Sequence, residues 1–271
     1  MNLKKLLAFM LILMVFAGLM SGCASSNNGG ADDSLTKIKD KGQLIMGLDD
    51  SFPPMGFRDE NNNLVGFDID VATEVCNRLD FELKLQPIDW DAKQQELETN
   101  KIDCIWNGFT ITDSRKEEFA LSVPYMNNNQ IIAVPSSSAF AKMDDIKGKR
   151  LVLQKNSSAM DALDKNAELK SSLSEVIEVD TNLKAFLELD QNTADAVLLD
   201  EVVANYYITA YNKDYKVLEG SLSPEEYAVG FRKADIALRD AVNDTLSKMK
   251  ADGKLAEIST KWFGKDVTTV K

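Results

Sequence analysis

"LETNKIDCIW" (residues 97–106) and "LDQNTADAVL" (residues 189–198) align without a gap, with Leu97 on Leu189, Asn100 on Asn192 and Asp103 on Asp195. Each joins the end of a helical pattern to the start of an apolar strand, and the elements around each follow the same order. Around the first copy the order is strand "LIMGL" from Leu44, a hairpin at "DENNN", a helix from Asp68 with Ala72, Val75, Cys76 and Leu79 at helical spacing, strand "ELKLQPI", helix "DAKQQELETN" and strand "IDCIW". From Arg150 come strand "RLVLQ", helix "SAMDALDKN", strand "EVIEV", a turn at "DTN", helix "LKAFLELDQN" and strand "ADAVLLD". Strands alternating with helices predict parallel sheets covered on both faces, and two copies predict two α/β lobes with a crevice between them. Ligands of open α/β sheets bind beyond the carboxyl ends of strands, so the loops after "LIMGL", "IDCIW", "RLVLQ" and "ADAVLLD" are the ones to inspect.

The first 22 residues read as a sorting signal: Lys4 and Lys5, a 15-residue apolar run from Leu6 to Met20, then small residues before Cys23. The run is short of the ~20 residues a spanning helix needs and no stop-transfer pattern follows. "LMSGC" is similar to a bacterial lipobox, with Met20 where leucine is usual, which implies cleavage before Cys23 and its acylation. The alternative is an ordinary signal peptide with a chance cysteine. Two acyl signals suffice for stable membrane anchoring. "ASSNNGGADDS" (24–34) has the composition of a flexible linker.

Removal of the signal leaves 29 basic against 43 acidic residues, a net charge of −14, which excludes charge-driven binding to nucleic acid or an anionic membrane face. The chain contains no histidine, which excludes Ser-His-Asp and Cys-His catalysis and HExxH zinc sites. Besides Cys23 only Cys76 and Cys104 are present, too few for a disulfide framework or a Cys-rich metal site, and two buried free thiols or one disulfide are both compatible with export. No cofactor or metal is expected.

Each crevice loop carries polar or aromatic candidates. Asp49, Asp50 and Phe52 precede two prolines that stiffen the backbone; a proline pair and an acidic pair are poor company for a core strand, so Phe52 is placed facing the crevice. Trp90 precedes Asp91, read as an N-cap with Gln94 in the capping-box position; the fourth helical residue is Gln95, so Trp90 has no apolar staple partner and either packs elsewhere or stacks on a ligand. In "NGFTITDSR", Asn107 and Thr110 supply hydrogen-bonding groups, Gly108 permits close backbone approach, and Ser114 with Glu117 forms a capping-box pattern that puts Arg115 in the first helical turn. A cation there faces the positive end of the helix dipole at a cost of a few tenths to ~1 kcal/mol. Taken alone Arg115 reads as a surface charge paired with Glu118; in the crevice, its planar fork suits a carboxylate. Ser157 and Ser158 read as helix caps, which leaves N–H groups pointing outward. Asp200 is an N-cap or a rim carboxylate suited to an ammonium. One guanidinium and one carboxylate across a crevice make a two-ended receptor for an α-amino acid.

"DDSFPPMGFRDENNNLVGFDIDVATEV" (49–75), "WDAKQQEL" (90–97), "KIDCIWNGFTITDSRKEEFALSVPY" (101–125) and "DAVLLDE" (195–201) resemble the polar amino-acid branch of the bacterial extracellular solute-binding proteins, the capture subunits of ABC importers. The resemblance runs from about Leu44 to Phe263. It implies a two-lobe periplasmic-binding-protein type II fold, each lobe a mostly parallel sheet flanked by helices, with hinge crossings near 127–133 and 222–231. The implied division is signal 1–22, tether 23–36, lobe one 37–129 plus 229–271, and lobe two 130–228. By position, Arg115 matches the carboxylate clamp, Asp200 the ammonium acceptor, Phe52 and Trp90 the aromatic sandwich, Asn107, Gly108 and Thr110 the polar loop, and Ser158 a second carboxylate contact. Asp49 matches an aspartate at the side-chain end, and Gln154 a position that varies with ligand. Asn107 replaces a common serine and Asn156 stands where glycine is usual. The implied function is a monomeric, extracytoplasmic protein anchored to the cell membrane through Cys23 that delivers a free amino acid (basic, glutamine or cystine) to an ABC permease. A dehydratase of the same fold would replace the ammonium acceptor by a general acid, against which Asp200 speaks; a sensory receptor would carry a signalling module.

Overall fold

The computed structural model describes residues 32–271, so Cys23 and the signal segment lie outside the described residues. In chain order the elements are α1 (Ser34–Lys41), β1 (Gln43–Leu48), β2 (Ser51–Phe52), β3 (Gly56–Arg58), β4 (Leu64–Val65), α2 (Phe67–Arg78), β5 (Glu82–Pro87), a 3-10 turn (Trp90–Ala92), α3 (Lys93–Glu98), β6 (Cys104–Thr110), α4 (Asp113–Glu118), β7 (Phe119–Leu121) and β8 (Met126–Pro135). There follow a 3-10 turn (Met143–Ile146), β9 (Arg150–Gln154), α5 (Ser158–Lys165), α6 (Ala167–Ser172), β10 (Glu175–Val179), α7 (Asn182–Asp190), β11 (Ala196–Asp200), α8 (Glu201–Thr209), β12 (Tyr215–Val217), β13 (Ser223–Arg232), α9 (Ile236–Ala251) and α10 (Lys254–Phe263).

The two sequence copies fold alike. β1 pairs in parallel with β5 and β6, and β9 in parallel with β10 and β11. Asp103 and Asp195 do equivalent work at the head of the incoming strand: Asp103 Oδ2 accepts from Ile45 N at 2.8 Å and Asp195 Oδ2 from Arg150 N at 2.9 Å. Asn100 and Asn192 both take left-handed backbone, φ 59° and 58°, where the chain leaves the helix; asparagine tolerates this region better than branched or bulky residues. Alternate residues leave opposite faces of the strands. Leu151 and Leu153 enter one core and Val152 another; Ala196 and Leu198 likewise part from Val197 and Leu199. This double burial explains the continuous apolar runs of the parallel strands.

Two long strands join the copies. β8 and β13 pair antiparallel, Gln130 opposite Ser223 through Met126 opposite Tyr227. Beyond that ladder β8 continues along β11 and β12, while β13 continues along β6 and β7. The result is the two-lobe type II architecture, with both crossings made by extended chain.

Three local expectations are corrected. Residues 34–36, assigned to the tether, are helical: Ser34 N is capped by Asp32 Oδ1 at 2.9 Å, Ser34 Oγ accepts from Leu238 N at 3.1 Å and Ile38 is buried, so α1 is docked on α9. The cap before α3 is Asp89, whose carboxylate accepts from Asp91 N, because a 3-10 turn intervenes and frees Asp91. The cap of α4 is Thr112, which accepts from Arg115 N at 3.2 Å, so Ser114 lies inside the helix and Arg115 is its third residue. Cys76 and Cys104 are buried free thiols.

Asp68, at the start of α2, ties this framework to the crevice. Its Oδ2 accepts from Gly108 N at 2.7 Å and from Tyr125 Oη at 3.0 Å. Complete burial pushes its carboxyl up to about 7 against those two hydrogen bonds. The folded state therefore holds a proton that the unfolded chain has lost above pH ~4, and stability from this group falls as pH rises from ~4 to 7, by at most ~1.4 kcal/mol per pH unit. Asp68→Asn is expected to flatten that part of the urea-stability profile; an unchanged slope shows the group is ionised throughout. Asn192→Ala is expected to lose about 1 kcal/mol through its left-handed backbone, with Asn192→Gly within ~0.5 kcal/mol of the parent, in the same assay.

Candidate functional site

The ends of β1, β5, β6, β9 and β11 and the loops after them converge on one cavity with about 10 Å³ of water-accessible space, lined by Asp49, Phe52, Trp90, Asn107, Gly108, Arg115, Gln154, Ser157, Ser158 and Asp200. Nine of these are the residues picked from sequence, and Ser157 joins them. Thr110 lies behind the wall: its carbonyl accepts from Arg115 Nη1 at 2.9 Å and its hydroxyl bridges toward Ser158 Oγ at 3.1 Å.

Arg115 is buried, with its guanidinium carbon 4.2 Å from the Phe109 ring centroid. The contact to Thr110 is its one side-chain hydrogen bond, and among the described residues no carboxylate lies within ion-pair distance of it. Burial lowers its pKa, opposed by Asp161, Glu225 and Asp200, though a guanidinium stays charged at any working pH. The fork thus faces the cavity with donors unused.

Asp200 ends β11 at the N-cap position of α8 without capping it. Its Oδ1 instead accepts from Asn128 Nδ2 at 2.7 Å, Tyr227 Oη at 2.7 Å and Gln130 Nε2 at 3.1 Å. Burial, then the charge of Glu225, push its carboxyl up to about 7. Ser157 holds the N-cap position of α5 but donates its hydroxyl back to Gln154 O at 2.6 Å. Ser158 Oγ accepts from Gln130 Nε2 at 3.2 Å.

At the other end Asp49 Oδ1 accepts from Ser51 N and Oγ, at 2.9 and 2.6 Å, and Oδ2 from Gln154 Nε2 at 3.0 Å. Burial raises its pKa despite these bonds. Asp50 turns away and pairs with Arg58 at 2.6 Å, so only one acid of the pair faces the cavity. Asn107 Oδ1 accepts from Asp49 N at 2.7 Å, locking β6 to the loop after β1. Gly108 has φ 54°, and a Cβ there would meet Phe52 Cε1 at 2.9 Å and Tyr227 at 3.2 Å, so the position requires glycine. Trp90 stands edge-on to Phe109, centroids 6.0 Å apart, with Lys93 Nζ 5.2 Å from its ring. Asn156 adopts φ 50°, the conformation that glycine would supply.

Sequence reasoning missed Glu225 and the residues Asn128, Gln130 and Tyr227 that share its strands. The available signal was polar residues at alternate positions of the crossings themselves, which line one face of a strand.

A family model described as bacterial extracellular solute-binding proteins, family 3, matches residues 44–265. The L-cystine-binding protein TcyJ of Escherichia coli (strain K12) is 30% identical over 241 residues, 88% of this chain and 89% of that protein. The arginine-binding extracellular protein ArtP of Bacillus subtilis (strain 168) is 28% identical over 266 residues, 96% of this chain and 98% of that one. An ABC uptake transporter substrate-binding protein from Streptococcus pneumoniae, solved with bound histidine, has a TM-score of 0.85 and 39% identity over 88% of this chain and 99% of its own. These relatives are binding proteins. With the family model spanning both lobes and the two crossing strands, the chain belongs to the bacterial extracellular solute-binding proteins, family 3.

Proposed function

We propose that this protein captures a free amino acid in the interlobe cleft and presents it to an ABC permease, without chemistry of its own. The observation that carries this is Arg115: a buried guanidinium with one side-chain hydrogen bond, lining a cavity that Asp200 also lines. A buried cation with unused donors is costly, and a ligand carboxylate supplies the missing partner. Asp200 receives the ammonium, and Phe52 and Trp90 flank the side chain. The binding of cystine, arginine and histidine by the similar proteins supports an amino acid as the ligand class. The lipobox-like "LMSGC" supports anchoring to the membrane through Cys23.

Thermal unfolding of residues 24–271 with each common amino acid and cystine tests the reading. A true ligand at ~100 times its dissociation constant stabilises by ~2.7 kcal/mol; a folded, ligand-free preparation that responds to none of them sinks it. Arg115→Ala is expected to weaken binding by about 100-fold or more, since two charge-assisted hydrogen bonds at ~1.5–3 kcal/mol each are lost. Ligand-free stability of the variant should change by less than ~1 kcal/mol, because the side chain removed is an unpaired buried charge. Calorimetry that finds parent-like affinity in Arg115→Ala places the carboxylate elsewhere.

A further inference from the structure

Glu225, on β13, extends into the cleft network from the hinge. Its Oε2 accepts from Thr110 Oγ1 at 2.9 Å, Gln130 Nε2 at 3.0 Å, Asn128 Nδ2 at 3.2 Å and Ser158 Oγ at 3.4 Å. Two of these donors, the amides of Asn128 and Gln130, are the ones that also serve Asp200 Oδ1. Both carboxylate oxygens lie within 3.2 Å of the Asn128 nitrogen, so they are within about 6 Å of each other, a range in which like charges disfavour joint ionisation.

Every donor to the two acids is neutral. Arg115 faces them from α4 beyond ion-pair distance and is itself faced by Asp161 of α5 and Glu118 of its own helix. Tyr227 approaches from β13, with Tyr125 beside it, and both phenols are held neutral by burial. Glu201, next along α8, is occupied by Asn129 Nδ2 at 2.7 Å. Asn128 Oδ1 and Gln130 Oε1 are buried without a partner, so the cluster has more acceptors than donors. What it lacks is one further proton-bearing group.

We propose that Glu225 and Asp200 form a single acidic pair, bridged by Asn128 and Gln130, which holds one proton while no cation is present and releases it when an ammonium group binds. In the exchange a carboxyl O–H bond breaks, its proton passes to the buffer, and an N–H of the incoming ammonium donates in its place. No redox change is involved. The raised titration of Asp200, driven by burial and then by Glu225, agrees with a retained proton. The ammonium half of the inference rests on the amino-acid reading above; the acid pair does not. Glu225 thereby becomes a specificity-determining residue, because two acids sharing one proton favour ligands that bring a cation and reject those carrying only a carboxylate at that end.

Carboxyl carbon-13 NMR of amino-acid-free protein between pH 4 and 9 tests the pair without any ligand. In the parent, Asp200 should titrate near neutrality, and in Glu225→Gln its titration should move down by a pH unit or more. Spectra in which Glu225→Gln leaves the Asp200 titration untouched overturn the pair, and the same spectra report whether the variant is folded. Calorimetry near pH 6 with L-arginine, L-glutamine and cystine, in buffers of different ionisation heat, tests the exchange. Binding by the parent should release a substantial fraction of one proton, and binding by Glu225→Gln clearly less. Parent binding without proton release refutes the exchange. Failure of all three probes to bind counts against the amino-acid reading and the exchange built on it, while the NMR result alone judges the pair.

Discussion

The ladder between β8 and β13 is the constraint on which the rest depends. In the sheet of the described residues it lies between β11 of one copy and β6 of the other, and its side chains hydrogen-bond the cavity residues Asp200 and Ser158, forming a floor beneath them. Asn128 and Gln130 leave one face of β8, Glu225 and Tyr227 the corresponding face of β13, as the two-residue strand period requires. Both crossings are paired extended chain, so the lobes are joined by a two-stranded antiparallel ladder. Away from this floor the contacts between the copies include Thr110 with Ser158, Asp49 with Gln154, Lys93 Nζ with Asn156 O at 3.0 Å, Lys155 with Asp91 at 3.1 Å, and the ring of Phe57 on that of Tyr206, centroids 5.4 Å apart. The partly exposed Lys155–Asp91 pair contributes roughly 0–1 kcal/mol, whereas Thr110 with Ser158 and Asp49 with Gln154 are buried hydrogen bonds.

Placement of the charges follows from the same geometry. Strand ends deliver short polar side chains at fixed positions, whereas the one long cation, Arg115, is held by stacking on Phe109 and by a single carbonyl. The aromatic face stabilises the guanidinium without consuming its donors. Thr112 caps the helix by accepting from Arg115 N, which fixes the backbone from which the guanidinium extends.

Much of this was legible in the sequence because it depends on short-range chemistry. The matched Asn100 and Asn192, and Asp103 and Asp195, mark the same helix exit and strand entry in each copy, and nine of the ten cavity residues were among the candidates read from the sequence. Boundaries failed where two residues of equal capping ability stood close together: Thr112 against Ser114, and Asp89 against Asp91. Which one caps is decided by tertiary demand, since Asp91 is drawn across the cleft to Lys155 and Asn156. Polar composition alone misassigned residues 34–36, because docking of Ile38 and the capping by Asp32 are invisible to it. Glu225 was missed for a related reason. Its role arises from register between two strands nearly a hundred residues apart, and no local pattern announces register.

The side-chain end of the cleft links selectivity to closure. Asp49 is the acid of the cavity lining there, and it is satisfied from its own loop by Ser51 and from the opposite lobe by Gln154. Gln154 Nε2 also reaches Asp180 O at 2.8 Å, so its amide is anchored in the second lobe while it engages the first. On the proposed reading, a ligand side chain that reaches Asp49 must either displace that amide or donate alongside it. A cationic tip offers a stronger partner to the buried carboxylate than the neutral amide does. A neutral polar tip leaves the Asp49–Gln154 contact in place and gains its affinity from the aromatics. The same pair of residues therefore sets which side chain is preferred and how much of the closing contact survives when it binds.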